Sequence, residues 1–386
     1  MTRFLTVAAA GCLGLTVLLQ AQSPAFEAGT PIQIGRGSGQ LTLVETNGDK
    51  HLDLVVHRIQ HGVDVFLGNG RGQFSPGGAV DLKIEPGAIA IGDVVDDSQP
   101  DLIVAFKDKD NEYLQVLHGV GQGRFGPGGT KRYATHTSFE FYKPVIRLAD
   151  VDGNGTTDII TSNGRRDTIE ILLANVRKGD GPAFTATPPV ALTPGSNFYT
   201  FTVGDFDADG RVDLVTIFDS TSTRVEFRKG VGNGRFQEPS GGAVVRAGAR
   251  LAAVADLNAD ARPDVVVSHS DSGWMSILLN DGRGSFTQAP QSPRDLGREA
   301  WGVVVSDVNH DQRPDIVAAT VNSRMRPYES QVAVLLGGGF AVAPGSPFQV
   351  GHGAYQLTIG DINEDGRPDV VTSSFETDSI SVLLGR

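Results

Sequence analysis

Cysteine is all but absent from these 386 residues: the single one, Cys12, lies in an apolar stretch at the N-terminus. No disulfide within the chain can staple the fold. C-x-x-C, H-E-x-x-H and G-x-S-x-G do not occur, and none of the eight histidines falls in such a motif. The sequence signatures of dithiol redox enzymes, zinc peptidases and α/β-hydrolases are therefore missing. Basic tracts are missing too. Lys and Arg number 33 against 45 Asp and Glu, for a net charge of −12, so a nucleic-acid partner is not expected. After residue 21 no apolar run approaches the roughly 20 residues that span a bilayer.

The one long apolar run opens the chain. Residues 1–21, MTRFLTVAAAGCLGLTVLLQA, read as a secretory signal peptide, with Arg3 as the charged region, Phe4 to Leu19 as the apolar one and cleavage after Ala21. As a membrane anchor the run is short, and as a lipoprotein signal ending at Cys12 it continues too far. The expected localisation is secreted, extracellular or in the cell envelope, with no transmembrane segment in the mature chain.

Glycine is abundant, at 49 residues, and aspartate recurs in a fixed pattern. Residues 204–215 read GDFDADGRVDLV, which places Asp205, Asp207, Asp209 and Asp213 on one tight loop. Carboxylates so close repel one another unless a cation sits between them, and Ca²⁺ takes six to eight hard oxygen ligands in flexible geometry. Gly210 allows the sharp turn. The apolar run after Asp213 reads as a strand, so the loop joins two strands and is not an EF-hand.

The same frame recurs with Asp150, Asp152, Asn154 and Asp158; with Asp256, Asn258, Asp260 and Asp264; with Asp307, Asn309, Asp311 and Asp315; and with Asp361, Asn363, Asp365 and Asp369. Glu45, Asn47, Asp49 and Asp53 form a first copy with a longer acid in front. Asp93, Asp97 and Asp101 form a second, in which Val95 replaces one ligand and puts that metal site in doubt. First ligands are 48, 57, 55, 51, 51 and 54 residues apart, so one structural unit occurs seven times. Up to seven Ca²⁺ are expected, and they would offset the net charge.

Each unit reads as four short strands. In the fourth, these are 199–204, 213–217, 224–228 and a strand near 243–246, with a Gly-rich turn, GVGNGRF, at 230–236. Similar turns recur at 68–74, 119–125, 280–286 and, shortened, 337–340. A Phe and another strand follow, where a phosphate-binding loop needs a helix. Phe74, Phe125, Phe184, Phe236, Phe286 and Phe340 are therefore expected in packing between units. Strands apolar on both faces suit sheets stacked radially, and the expected fold is an all-β, seven-bladed β-propeller with four-stranded blades. The last unit stops before its fourth strand. Residues 30–35, TPIQIG, resemble 346–351, SPFQVG, so the N-terminal segment is expected to complete the last blade and close the ring.

The D-x-[DN]-x-D-G-x-x-D loops, the apolar run after each and the NGxGxF turns resemble the FG-GAP or VCBS repeat family, whose calcium-loop propellers also form integrin α-chain heads. The resemblance covers residues 26–386. It implies a calcium-binding propeller and assigns ligand roles to the loop positions named above. Ala261 and Gln312 stand where glycine is usual, implying backbone strain there. The family includes adhesion heads, lectins and enzymes, so it leaves the function open.

All seven acidic loops would lie on one face. Six residues before each first ligand, where the innermost strands begin on the opposite face, stand Gly39, Gly87, Pro144, Tyr199, Arg250, Trp301 and Tyr355. Tyr199, Arg250, Trp301 and Tyr355 fall on consecutive blades and are the candidate ligand-binding residues; the alternative is that they plug the channel. Lys143 is adjacent, and the turns 107–112 and 323–330 would form a rim. The function expected is a secreted binding or adhesion module for extracellular glycans or proteins. The alternatives are a polysaccharide lyase or other carbohydrate-active enzyme on that face, for which Arg250 and Tyr199 would serve, and a purely structural envelope protein. No catalytic residue is assigned.

Overall fold

The computed structural model describes residues 24–386 apart from 35–36, 59–61, 83–85, 109–110, 136–143, 163–167, 176–182, 193–197, 219–223 and 270–271. The signal-peptide reading, Cys12, Lys143 and part of the 107–112 rim fall outside the described residues. Among these there is no helix long and apolar enough to cross a membrane.

Seven antiparallel sheets stand in a ring, each built from one sequence repeat. In blade four the strands are Phe198–Gly204, Asp213–Phe218, Arg224–Arg228 and Gly241–Val244, hydrogen-bonded in that order. The first three agree with the sequence reading to within a residue. The fourth lies two residues earlier than expected, because Val245 leaves the sheet to enter the core between blades four and five. The first strands of all seven blades touch in succession, and those of blades one and seven, Ser38–Val44 and Ala354–Gly360, close the ring.

Second strands are sandwiched, as their uniform apolarity requires. Asp213–Phe218 is buried throughout. Val215 and Ile217 pack toward blade five, while Leu214 and Phe218 pack toward blade three. Alternation with period two thus feeds two neighbouring cores at once. The last blade takes its outer edge from the other end of the chain: Phe26–Ala28 and Ile32–Gln33 both pair antiparallel with Ser379–Gly385. The two chain ends are thereby joined in one blade, and the ring leaves only short outer edges.

The glycine-rich turns join blades. Gly72, Gly123, Gly234 and Gly284 all have positive φ, and each lies against the third strand of the preceding blade. A Cβ on Gly284 would stand 2.0 Å from a Phe227 ring carbon. The six phenylalanines that follow or flank these turns all pack into cores between blades. Gly284→Ala should therefore combine left-handed strain with overpacking and destabilise by about 2–4 kcal/mol. Gly232 also has positive φ but nothing within 4 Å of a Cβ, so Gly232→Ala should lose only about 1 kcal/mol. Urea unfolding of the two variants tests this; equal losses would mean that the turn does not press on its neighbour.

Candidate functional site

The two faces of the ring are built differently, and the acidic loops come first. Their four carboxylate positions do separate jobs. The first acid caps its own loop: Asp205 accepts from the backbone N–H groups of Asp209 (3.1 Å) and Gly210 (2.9 Å). Asp256, Asp307 and Asp361 do the same in their loops. The sixth loop position has positive φ in all seven blades, including Ala261 (64°) and Gln312 (66°). The expected strain at these two is present.

The last acid is fully buried in every blade. Asp213 accepts the N–H of Phe206 at 2.9 Å and that of Gly230, at the end of the third strand, at 2.7 Å. Asp53, Asp101, Asp158, Asp264, Asp315 and Asp369 each accept the corresponding pair. Burial, partly offset by these hydrogen bonds, pushes Asp101, Asp158, Asp213, Asp264, Asp315 and Asp369 up to about 6, and Asp53 up as well. The residue after the first acid uses this clamp to turn inward. Val94, Val151, Phe206, Leu257, Val308 and Ile362 all enter cores between blades, and Thr46 instead donates its hydroxyl to Asp53.

Among Asp150, Asp152 and Asp158, and among Asp205, Asp207 and Asp209, one carboxylate oxygen from each lies within 4.8 Å of the others. The donors are all hard oxygens, and Asp207 Oδ1 is buried without a hydrogen bond among the described residues. This chemistry suits a divalent cation of the Ca²⁺ kind. The Asn258, Asn309 and Asn363 side chains are drawn to the neighbouring Asp260, Asp311 and Asp365, as Asn47 is to Asp49. In blade two, Val95 packs toward the core between blades two and three and offers the loop nothing. In blade four a lysine is already present: Lys229 Nζ contacts Asp207 and lies 2.9 Å from Asp209. That hydrogen bond, more than any other interaction, holds the Asp209 carboxyl below its usual range.

The opposite face carries the cavity. The strand starts converge there on an opening of about 360 Å³, lined by Gly39, Gly87, Pro144, Tyr199, Arg250 and Tyr355 among others. Six of the seven positions singled out by spacing meet in it. The seventh, Trp301, lines an adjoining recess of about 140 Å³ together with Tyr199, Arg250 and Tyr355. The Arg250 guanidinium sits over the Tyr199 ring, 5.3 Å from its centroid. Burial, then the neighbouring Tyr199, raises the pKa of the Tyr355 phenol, so it stays a neutral hydrogen-bonding group.

Trp301 also anchors the rim. Its ring stacks on Phe375 at 6.0 Å and meets Tyr328 and Tyr355 edge-on. Arg326, in the expected rim turn, lies over Tyr328 and pairs with Glu376 at 2.8 Å. Gln40, Thr200 and Gln356 supply polar groups to the cavity, and His57 comes from a second strand. The first three stand five residues before a first ligand, so the same offset rule, moved by one residue, would have found them. Phe375 and Tyr328 come from turns of unequal length, and no spacing marks them.

Ring and repeated acidic loops define the class: a seven-bladed β-propeller. Residues 46–104, 150–216 and 256–318 match the FG-GAP-like repeat, and the chain carries repeats of that family. No curated protein matches it. Among solved structures it is similar to BBS1N from a complex with ARL6DN, a crystal soaked with lead. The identity is 11%, covering 93% of this chain and 96% of that one, with a TM-score of 0.57. It is also similar to an Agrocybe aegerita lectin described as recognising non-reducing terminal N-acetylglucosamine, at 19% identity over 81% of this chain and 80% of that one, TM-score 0.51. At these identities the likeness is one of fold.

The buried aspartates generate a test. Asp315→Ala leaves the N–H groups of Val308 and Gly337 without an acceptor, each worth about 1–3 kcal/mol when buried. The variant should lose about 2–5 kcal/mol of stability in excess calcium and in chelator alike. Wild-type stability in chelator would show that Asp315 acts only through a metal.

Proposed function

We propose that this chain is a secreted, calcium-binding β-propeller that acts as a recognition module, with its ligand at the channel mouth beside blades four to seven. One observation carries the placement. Tyr199, Arg250, Trp301 and Tyr355, far apart in sequence, share one recess, and three of them also line the larger cavity. The loop face offers near-equivalent acidic surfaces, whereas recognition needs an asymmetric patch, and Trp and Arg are enriched where binding energy concentrates. A plugged channel is disfavoured by the open volume, which lies at the lower end for small-ligand pockets.

A glycan is the ligand class favoured here. Aromatic faces stack on sugar rings, and Gln40 and Gln356 offer amides for hydroxyl groups. The similar structures show that the fold serves both protein and sugar recognition in other chains. Secretion rests on the N-terminal Arg3 and the apolar run after it. Calcium rests on the convergent oxygens of the loops; the loop residues named as ligands would hold it and the ion would neutralise their charge.

Screening a glycan array in calcium supplies the ligand. On that glycan, Trp301→Ala and Arg250→Ala should each lose at least about 1–2 kcal/mol of binding by calorimetry with the fold unchanged. Full affinity in both variants would place the ligand elsewhere. Separately, an ion bound by the folded loops and not by the unfolded chain stabilises by mass action, so chelation should lower the melting temperature. Identical melting curves in excess calcium and in EGTA, with the chelated sample metal-free, would overturn the calcium assignment.

A further inference from the structure

The residue just before the clamped end of each third strand is Leu67, Leu173, Leu279, Leu336 or Leu384 in five blades, as the hydrogen bonds of the neighbouring residue to the buried aspartate define it. Two blades differ. In blade two the position is His118, 3.5 Å from Asp101, in the loop where Val95 has displaced a carboxylate. In blade four it is Lys229, whose ammonium group joins Asp207 and Asp209.

We propose that Lys229 is a built-in cation of the fourth acidic loop, which holds that loop together without metal and competes with calcium for it. The inference rests on the calcium reading above and adds a rank among the loops. Blade four has the fullest set of acids, Asp205, Asp207, Asp209 and Asp213, and on ligand count alone it would be the tightest site. Three of these carboxylates converge, as three do in blade three, and their repulsion opposes the ion-free fold. The lysine relieves that repulsion before any ion arrives. A positive charge next to Asp207 and Asp209 also repels an incoming divalent cation, and both effects weaken metal binding. Asp207 keeps one inward oxygen, Oδ1, without a hydrogen bond, so the loop remains able to take an ion when calcium is plentiful. Calcium entry then displaces the lysine from the loop or binds against its charge.

Leucine occupies the position in five other blades, so Lys229→Leu is compatible with the fold. The experiment is native mass spectrometry of the full chain during a calcium titration, paired with melting curves in EGTA. Lys229→Leu should fill one of its calcium sites at about ten-fold lower free calcium than wild type, a change of about 1.4 kcal/mol. It should also melt lower than wild type in EGTA. Lys229→Leu combined with Asp209→Ala should lose the gain, which assigns it to blade four. Lys229→Gln serves as a polar variant without charge and should follow Lys229→Leu. Unchanged or weaker calcium loading in both single variants would overturn the role of Lys229 while leaving the calcium reading intact. No calcium uptake by any form would overturn both.

Discussion

A buried carboxylate that accepts two backbone N–H groups is the contact on which this ring depends. Each copy, from Asp53 to Asp369, ties the residue after the first loop acid to the end of the third strand of its own blade. The tie fixes the direction of the loop. It drives an apolar side chain, Phe206 in blade four, into the core shared with the next blade. The carbonyl of that same residue then receives a donor from the following blade: Asn280 reaches Phe206 at 2.7 Å, Gly72 reaches Ile362 at 3.0 Å and Gly123 reaches Thr46 at 3.1 Å. One aspartate thereby sets strand pairing within a blade and packing between blades. A charge so placed would be destabilising if either donor were lost.

The same arrangement divides the faces by task. Loops held this firmly present similar acidic surfaces around the ring, poorly suited to telling one ligand from another. The far ends of the first strands carry no repeated aspartate, and their residues differ from blade to blade. Blades one to three bring Gly39, Gly87 and Pro144 to the mouth, while blades four to seven bring Tyr199, Arg250, Trp301 and Tyr355. Small residues on one side leave room and large ones on the other make walls, so the cavity follows from this asymmetry. The rim contact of Tyr328 with Trp301 holds the largest wall in place.

Most of the fold was legible because repetition multiplies a weak signal. One acidic loop says little, whereas seven in register gave blade count, strand order and the face on which the mouth opens. The closure of blade seven by residues 26–28 and 32–33 was visible from the likeness of two short segments. What stayed hidden is physical in origin. Aspartates at the third and last loop positions have the same side chain, and only burial and hydrogen bonds tell Asp315 from Asp311. Lys229 was passed over because it lies outside the loop and its partners are set by strand pairing. Phe375 was missed because turns of unequal length carry no periodicity, and Tyr328 was expected only as part of the rim turn 323–330.

Hydrogen exchange by mass spectrometry, in calcium throughout, with and without the glycan selected on the array, tests the division of faces most directly. Exchange should slow in peptides covering 198–201, 249–252, 299–303 and 354–357, where the strands begin, and stay unchanged in the acidic loops 205–213 and 361–369. Protection confined to the acidic loops, with the strand starts unaffected, would contradict it.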